Sequence, residues 1–228
     1  MYKACIFDLD GTLCDSVESL VYCGNHALRD LGLKEAAPED YKRFVGDGVD
    51  VLLQRLLRFG GDEECALFQE MKARYLAYFR EGCMYQVGPY PGVSEALEEL
   101  KRQGAKIAVL SNKPHENARD VVEEIFGKGY FDCIVGQSER FPRKPAPDGA
   151  LYIANVLGVK PEECLYVGDT GTDMQTGISA GMYTIGVLWG FRDQQELQEA
   201  GARKIIAQAS QLPKIYCRNE ERDRGNRV

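Results

Sequence analysis

After residue 92 the chain settles into a rhythm that few architectures satisfy. Stretches with helical spacing at 93–102, 116–126, 148–157 and 173–180 alternate with short runs that are apolar throughout. Those runs lie at 106–110, 133–135, 165–167 and 184–188, with a last one at 204–207. Short strands without an in/out alternation are buried on both faces, which implies a parallel sheet covered by helices on each side. The crossovers of such a sheet are right-handed.

The front of the chain breaks this rhythm. Residues 3–9 read as one buried strand. Residues 15–31 then read as a helix, with Val17, Leu20, Val21, Gly24, Ala27, Leu28 and Leu31 at helical spacing. More helix is expected at 48–59 and 62–79, the second with Leu67, Met71, Tyr75 and Tyr78 on one face. One strand is thus followed by three helices and no convincing second strand. The economical account is an α/β domain over 1–13 and 84–216, interrupted after its first strand by an all-helical insert over 14–83. The stretch 217–228 is nearly all polar and is expected to be a frayed tail.

The hydrophobic fraction of 44% supports a real core, and the net charge of −7 argues against nucleic acid or an anionic membrane as partner. No apolar run is long enough to span a bilayer. The eight cysteines are scattered without Cys-x-x-Cys spacing, and there are only two histidines, His26 and His115. Free thiols in a reducing compartment are expected rather than a zinc site or a disulfide framework. With an N-terminus that reaches Asp8 too soon for a signal peptide, the expected location is the cytoplasm.

In open parallel sheets ligands bind beyond the carboxyl ends of the strands, near the topological switch point. Polar residues that a buried strand does not need stand at those ends here. Asp8 and Asp10, in Phe7-Asp8-Leu9-Asp10-Gly11-Thr12, share a strand face if the strand persists. Two like charges there repel and are poorly solvated, so they need a cation, a shared proton, or both. A turn signal explains Asp10-Gly11 but not Asp8. Asp169 and Asp173 follow another strand, in Val167-Gly168-Asp169-Thr170-Gly171-Thr172-Asp173. A helix N-cap needs only one such residue. Ser111-Asn112-Lys113 closes a third strand and is expected to open a helix near Pro114, where a hydroxyl and backbone N–H groups make an anion site. Lys144 lies in Arg143-Lys144-Pro145-Ala146-Pro147-Asp148, stiffened by two prolines. Together the four acids and Lys144 would repel an anionic substrate unless a divalent cation joined them. The donors are hard oxygens, which select Mg²⁺.

Asp8-Leu-Asp10-Gly-Thr, Ser111-Asn-Lys, Lys144 and Gly168-Asp169-Thr-Gly-Thr-Asp173, in that order, resemble the haloacid dehalogenase superfamily. The separations, 33 residues from Ser111 to Lys144 and 25 from Lys144 to Asp169, also resemble it. The stretch from Lys144-Pro-Ala-Pro-Asp148 through Asp169, with Val45-Gly46-Asp47-Gly48, resembles the phosphoglycolate phosphatase branch. The resemblance implies a Rossmann-like core with a helical cap inserted after its first strand. It implies a phosphatase acting on a small phosphorylated metabolite, with Asp8 as nucleophile and Asp10 as general acid and base. Mg²⁺ would be held by Asp8, the backbone carbonyl of Asp10, Asp169 and, through water, Asp173. Gly11, Thr12, Ser111 and Asn112 would bind phosphoryl oxygens, and Lys144 would bridge Asp8 and the phosphate. Oligomeric state is left at monomer or homodimer.

Rival expectations stay open. A dehalogenase proper usually lacks the second acid. A β-phosphoglucomutase-like enzyme tends to carry basic residues after the cap glycine, where this chain has Asp47 and Asp50. A phosphonatase would need a cap lysine, for which Lys34 and Lys42 are candidates in type only. A pyrophosphatase or nucleotidase could use the same set, and a catalytically dead binding module should have lost part of it. His26, His115, Trp189, Tyr75, Tyr78 and Phe79 are expected to be ordinary packing or surface residues.

Overall fold

The computed structural model describes residues 2–217; most of the polar stretch 217–228 therefore lies outside the described residues. Six parallel strands form one sheet in the order β5-β4-β1-β6-β7-β8. They are β1 (Ala4–Phe7), β4 (Lys106–Pro114), β5 (Cys133–Gln137), β6 (Cys164–Gly168), β7 (Tyr183–Val187) and β8 (Lys204–Ile206). The chain builds outward from β1 through β4 to β5, then returns to the other side of β1 with β6. The switch point therefore lies between β1 and β6. Register aligns the strand ends: Phe7 pairs with Val109 on β4 and with Val167 on β6. Asp8, Ser111 and Asp169 consequently emerge at one edge.

Both faces of β1 are buried, as its unbroken apolar sequence requires. Cys5 and Phe7 pack with Ile107, Val109, Leu165 and Val167 on one side. Ala4 and Ile6 pack with Ala108, Leu110, Cys164 and Tyr166 on the other. The first layer is covered by α5 (Val93–Arg102), α6 (His115–Phe126) and α10 (Leu212–Tyr216). The second is covered by α7 (Asp148–Val156). α8 (Gly171–Ser179) and the short α9 (Gln194–Glu199) lie beside β6 to β8.

Between β1 and β4 come α1 (Val17–Asp30), α2 (Pro38–Phe44), α3 (Val49–Gly60) and α4 (Phe68–Gly82). Their apolar faces build a separate core: Leu20, Cys23, Ala27 and Leu28 from α1, Tyr41 from α2, Leu53, Leu56 and Leu57 from α3, and Met71, Tyr75 and Phe79 from α4. Each fully buried leucine of this stripe contributes about 2 kcal/mol. Tyr41 donates its hydroxyl to Asn25 Oδ1 at 2.9 Å, and Asn25 in turn bonds both backbone groups of Ala36. Where the chain leaves and re-enters the sheet, β2 (Cys14–Asp15) and β3 (Gly88–Pro89) pair antiparallel.

The structure corrects several expectations. The insert has four helices rather than three, because α2 is seven residues long and too short to show a period. The fourth begins at Phe68 rather than 62. Two-residue strands flank the insert where no second strand was expected. β4 runs on to Pro114 with an irregular register between Leu110 and Pro114, so Ser111, Asn112 and Lys113 are still strand residues, while the helix expected near Pro114 does begin at His115. All eight cysteines are free, in line with their scattered spacing. No helix among the described residues is long and apolar enough to cross a membrane.

Candidate active site

The buried strand ends hold three carboxylates in one place. One oxygen each of Asp8, Asp169 and Asp173 lies within 4.8 Å of the others, and all three residues are buried. Lys144 sits among them with 7% of its surface exposed. Its Nζ donates to Asp8 Oδ1 at 2.6 Å and to Asp173 Oδ1 at 2.7 Å. One ammonium thus answers three acids. Burial pushes the Asp8 carboxyl well above the usual range, opposed by Lys144 and reinforced by Asp173 and Asp169. Burial, with Asp173 next, pushes Asp169 up to about 7. For Lys144 burial works toward the neutral amine, but Asp173 and Asp8 outweigh it and hold the proton on.

Each acid is fixed by its own donors. Thr12 Oγ1 donates to Asp169 Oδ1 at 2.9 Å, and the Phe191 N–H donates to Asp169 Oδ2 at 2.8 Å. Gly11 and Gly190 form a slot around this carboxylate. A Cβ at Gly11, whose φ is +92°, would stand 2.3 Å from Asp169 Oδ2, and one at Gly190 would stand 2.3 Å from Asp169 Cβ. Asp173 serves two purposes at once. Its Oδ2 accepts from Thr170 Oγ1 at 2.6 Å and from the Thr170 N–H at 3.1 Å, closing the capping box that starts α8 at Gly171. Its Oδ1 remains for Lys144. Capping and membership of the acid cluster are therefore not alternatives.

Asp10 goes elsewhere. β1 ends at Phe7, the chain turns through Gly11, and the Asp10 carboxylate leaves the cluster. It accepts from Lys113 Nζ at 2.8 and 3.1 Å and from Ser16 Oγ at 2.6 Å. Asp8 and Asp10 still border one cleft, each held by a different lysine. Asn112 is the joint between segments. Its Oδ1 accepts from the Lys144 N–H at 2.9 Å, and its Nδ2 donates to the carbonyls of Lys144 and of Gly46 in the insert. Ser111 also borders the cleft, and its hydroxyl accepts from the Lys113 N–H at 3.1 Å.

The cleft continues between sheet edge and insert, with a free volume of about 60 Å³. Its far wall comes from Leu20, Val49, Leu52, Tyr75, Leu76 and Phe79. Several sheet-side residues hold the insert down over it. Thr172 Oγ1 donates to Asp47 at 3.2 Å. Arg192 donates to the carbonyls of Lys42, Arg43 and Val45, the otherwise unpaired acceptors at the C-terminus of α2. The Phe191 ring joins the insert's core while its amide holds Asp169.

Lys113, Ser16 and the 190–192 segment were given no site role by sequence. Lys113 stood inside a quoted motif, but its partner Asp10 is 103 positions away. Of the residues set aside as ordinary, His26 bonds the Tyr22 carbonyl and Trp189 Nε1 donates to the Thr12 carbonyl. His115 Nδ1 accepts from the Gly136 N–H, which ties it to β5 rather than leaving it at a free surface. Tyr75 and Phe79 belong to the insert's core and also border the cleft.

The haloacid dehalogenase-like hydrolase family matches residues 5–187. The phosphoglycolate phosphatase of Aquifex aeolicus (strain VF5) is 35% identical over 193 residues, 83% of this chain and 86% of that protein. The phosphoglycolate phosphatase of Neisseria meningitidis serogroup A is 32% identical over 216 residues, 94% of this chain and 92% of that one. A crystal structure from Lactobacillus delbrueckii subsp. bulgaricus superposes with a TM-score of 0.87 at 36% identity, covering 94% of this chain and 98% of that one. With the order of the strand-end acids, their shared pocket and a match that spans most of the sheet, the chain belongs to the haloacid dehalogenase-like hydrolases.

Proposed function

We propose that the chain is a Mg²⁺-dependent phosphatase that cleaves a small phosphate monoester through an aspartyl phosphate on Asp8. The observation that carries this reading is the buried Asp8–Lys144 pair beside Asp169 and Asp173 at the edge of the cleft. The relatives named phosphoglycolate phosphatase support it.

The acid cluster fits a hard divalent cation. Three carboxylates face one ammonium, and without further positive charge burial favours protonation of Asp8 and Asp169. Asp8, Asp169 and Asp173 would hold the ion, with the Asp10 carbonyl as a further oxygen. When bound, Mg²⁺ supplies charge stabilisation to the transferring phosphoryl group. Asp8 uses its free carboxylate oxygen to form a bond to phosphorus as the bond from phosphorus to the leaving oxygen breaks. Lys144 keeps the other oxygen of Asp8 oriented and places a point charge beside the equatorial oxygens. Asp10 delivers a proton to the leaving alkoxide, then takes one from the water that attacks the acyl phosphate. That second attack releases inorganic phosphate and restores the Asp8 carboxylate. Ser111 and Asn112 border the cleft and would meet the phosphate, whereas Gly11 and Thr12, expected to do the same, lie against Asp169 instead. The insert acts as the cap that excludes bulk water.

A narrow cleft of about 60 Å³ and the relatives named phosphoglycolate phosphatase favour a small leaving group. 2-Phosphoglycolate is the first substrate to assay. Steady-state hydrolysis by wild type and Asp8→Asn, with Mg²⁺ and with chelator, tests the proposal. Wild-type turnover that survives Asp8→Asn removes Asp8 as nucleophile, and turnover indifferent to chelator removes the ion.

A further inference from the structure

The segment 190–196 faces two ways. Toward the sheet edge it holds the acids. The Phe191 N–H donates to Asp169 Oδ2 at 2.8 Å. Further on, Glu196 Oε1 accepts from the Gly171 N–H at 3.1 Å, in the first turn of α8, the helix that carries Asp173. Toward the insert the same segment holds α2. Arg192 donates to the carbonyls of Lys42, Arg43 and Val45, the last at 2.7 Å, and its Nε lies 3.2 Å from Glu196 Oε2. The Phe191 ring is, among the described residues, the one member of the insert's core that lies outside 17–83. One guanidinium thus stands between three backbone acceptors of the insert and the carboxylate that fixes the start of α8. Neither Arg192 nor Glu196 borders the cleft.

We propose that Arg192 is a positioning residue for the divalent ion: it couples the seating of the insert on the sheet edge to the affinity of Asp169 and Asp173 for Mg²⁺, touching neither ion nor substrate. The insert has its own core and joins the sheet beside β2 and β3, so it can shift as a body. With Arg192 fastened to α2, the Phe191 amide and the Glu196 carboxylate stay in register with the two acids. Asp169, gripped by Phe191 on one oxygen and by Thr12 on the other, is then oriented before an ion arrives. Outer partners of this kind commonly set metal affinity by about 10- to 100-fold. Such coupling is reciprocal, so the ion in turn favours the seated insert. The inference goes beyond the phosphatase reading and needs only its ion site, not its reaction.

The test titrates Mg²⁺ into metal-free protein, without substrate, and follows it by calorimetry and by the emission of Trp189. That residue, the chain's one tryptophan, adjoins the segment and donates to the Thr12 carbonyl at 3.0 Å. In wild type both signals should share one midpoint. Arg192→Ala should raise the midpoint at least about tenfold. Arg192→Lys, which keeps the charge but replaces the fork of donors by a single head, should raise it only about threefold. An Arg192→Ala protein that binds Mg²⁺ at the wild-type midpoint overturns the proposal, even if its metal-free Tm has dropped, because Arg192 then only fastens the insert. Should Arg192→Ala fail to fold, a wild-type midpoint in Arg192→Lys overturns it instead. A wild type that takes up no Mg²⁺ by either signal overturns this proposal and the ion's place in the proposed function together.

Discussion

The two walls of the cleft are built on opposite principles. The sheet edge presents buried charge: Asp8, Asp169 and Asp173 around Lys144, each with donors that fix its oxygens. The insert presents Leu20, Val49, Leu52 and Phe79. The first wall owes its geometry to strand register, which sets Asp8 and Asp169 side by side whatever the helices do. The second owes its shape to helix packing, which tolerates change in small steps. The difference separates two tasks. On the phosphatase reading proposed above, reactivity would be lodged in the sheet edge and choice of substrate in the wall that can be repacked.

Breaking the charged wall should have the largest effect. Asp8→Asn should lower kcat by about 10⁴-fold or more with the fold retained, as read by steady-state assay beside circular dichroism. Lys144→Met comes next. It leaves three buried acids with no cation, so in metal-free protein it should cost about 3–5 kcal/mol of stability and lower kcat about 10²- to 10³-fold. Denaturant titration with and without Mg²⁺ checks this, since the ion should restore part of the loss.

Proton uptake by the same wall gives a third, milder test. Asp169 titrates at about 7 in the fold against an ordinary value of 3.8. Between those values the folded chain holds a proton that the unfolded chain has released. The stabilisation is complete below about pH 4 and is lost as pH rises through about 7. The Tm of metal-free protein should therefore fall from pH 5 to pH 8, and saturating Mg²⁺ should flatten the slope. A metal-free Tm that rises over this range would show that Asp169 is not held protonated.

Changes on the insert wall should be smaller and of another kind. Val49→Ala widens the cleft, so kcat/KM for a bulky aryl phosphate relative to 2-phosphoglycolate should rise about tenfold. Far from either wall, Arg102→Ala removes an exposed i,i+3 pair with Glu99 and should move Tm by less than about 2 °C. A large shift there would mean that surface charge, not the cleft, controls this protein's behaviour.

The sheet and its edge were legible because burial on two faces leaves a plain signature. Apolar runs such as 4–7 and 164–168 stop abruptly at an acid, and nothing in a core explains an acid. Helices long enough for a stripe, such as α1 and α3, could be read the same way. α2, β2, β3 and α9 could not, since none exceeds seven residues and a period needs more. The separation of Asp10 from Asp8 was hidden for another reason. It depends on where β1 ends, and an alternating pattern extends smoothly past that point. Lys113 and the Phe191 amide act through partners more than 20 positions away, which no local pattern encodes.

The short stretch 190–192 joins the halves with little slack. Gly190 gives Asp169 room, Phe191 lends that acid its amide and the neighbouring helices its ring, and Arg192 grips the end of α2. Displacing the helices after β1 would therefore also disturb the donors that hold Asp169. One residue inserted between Gly190 and Arg192 would therefore be expected to loosen the carboxylate and the end of α2 together.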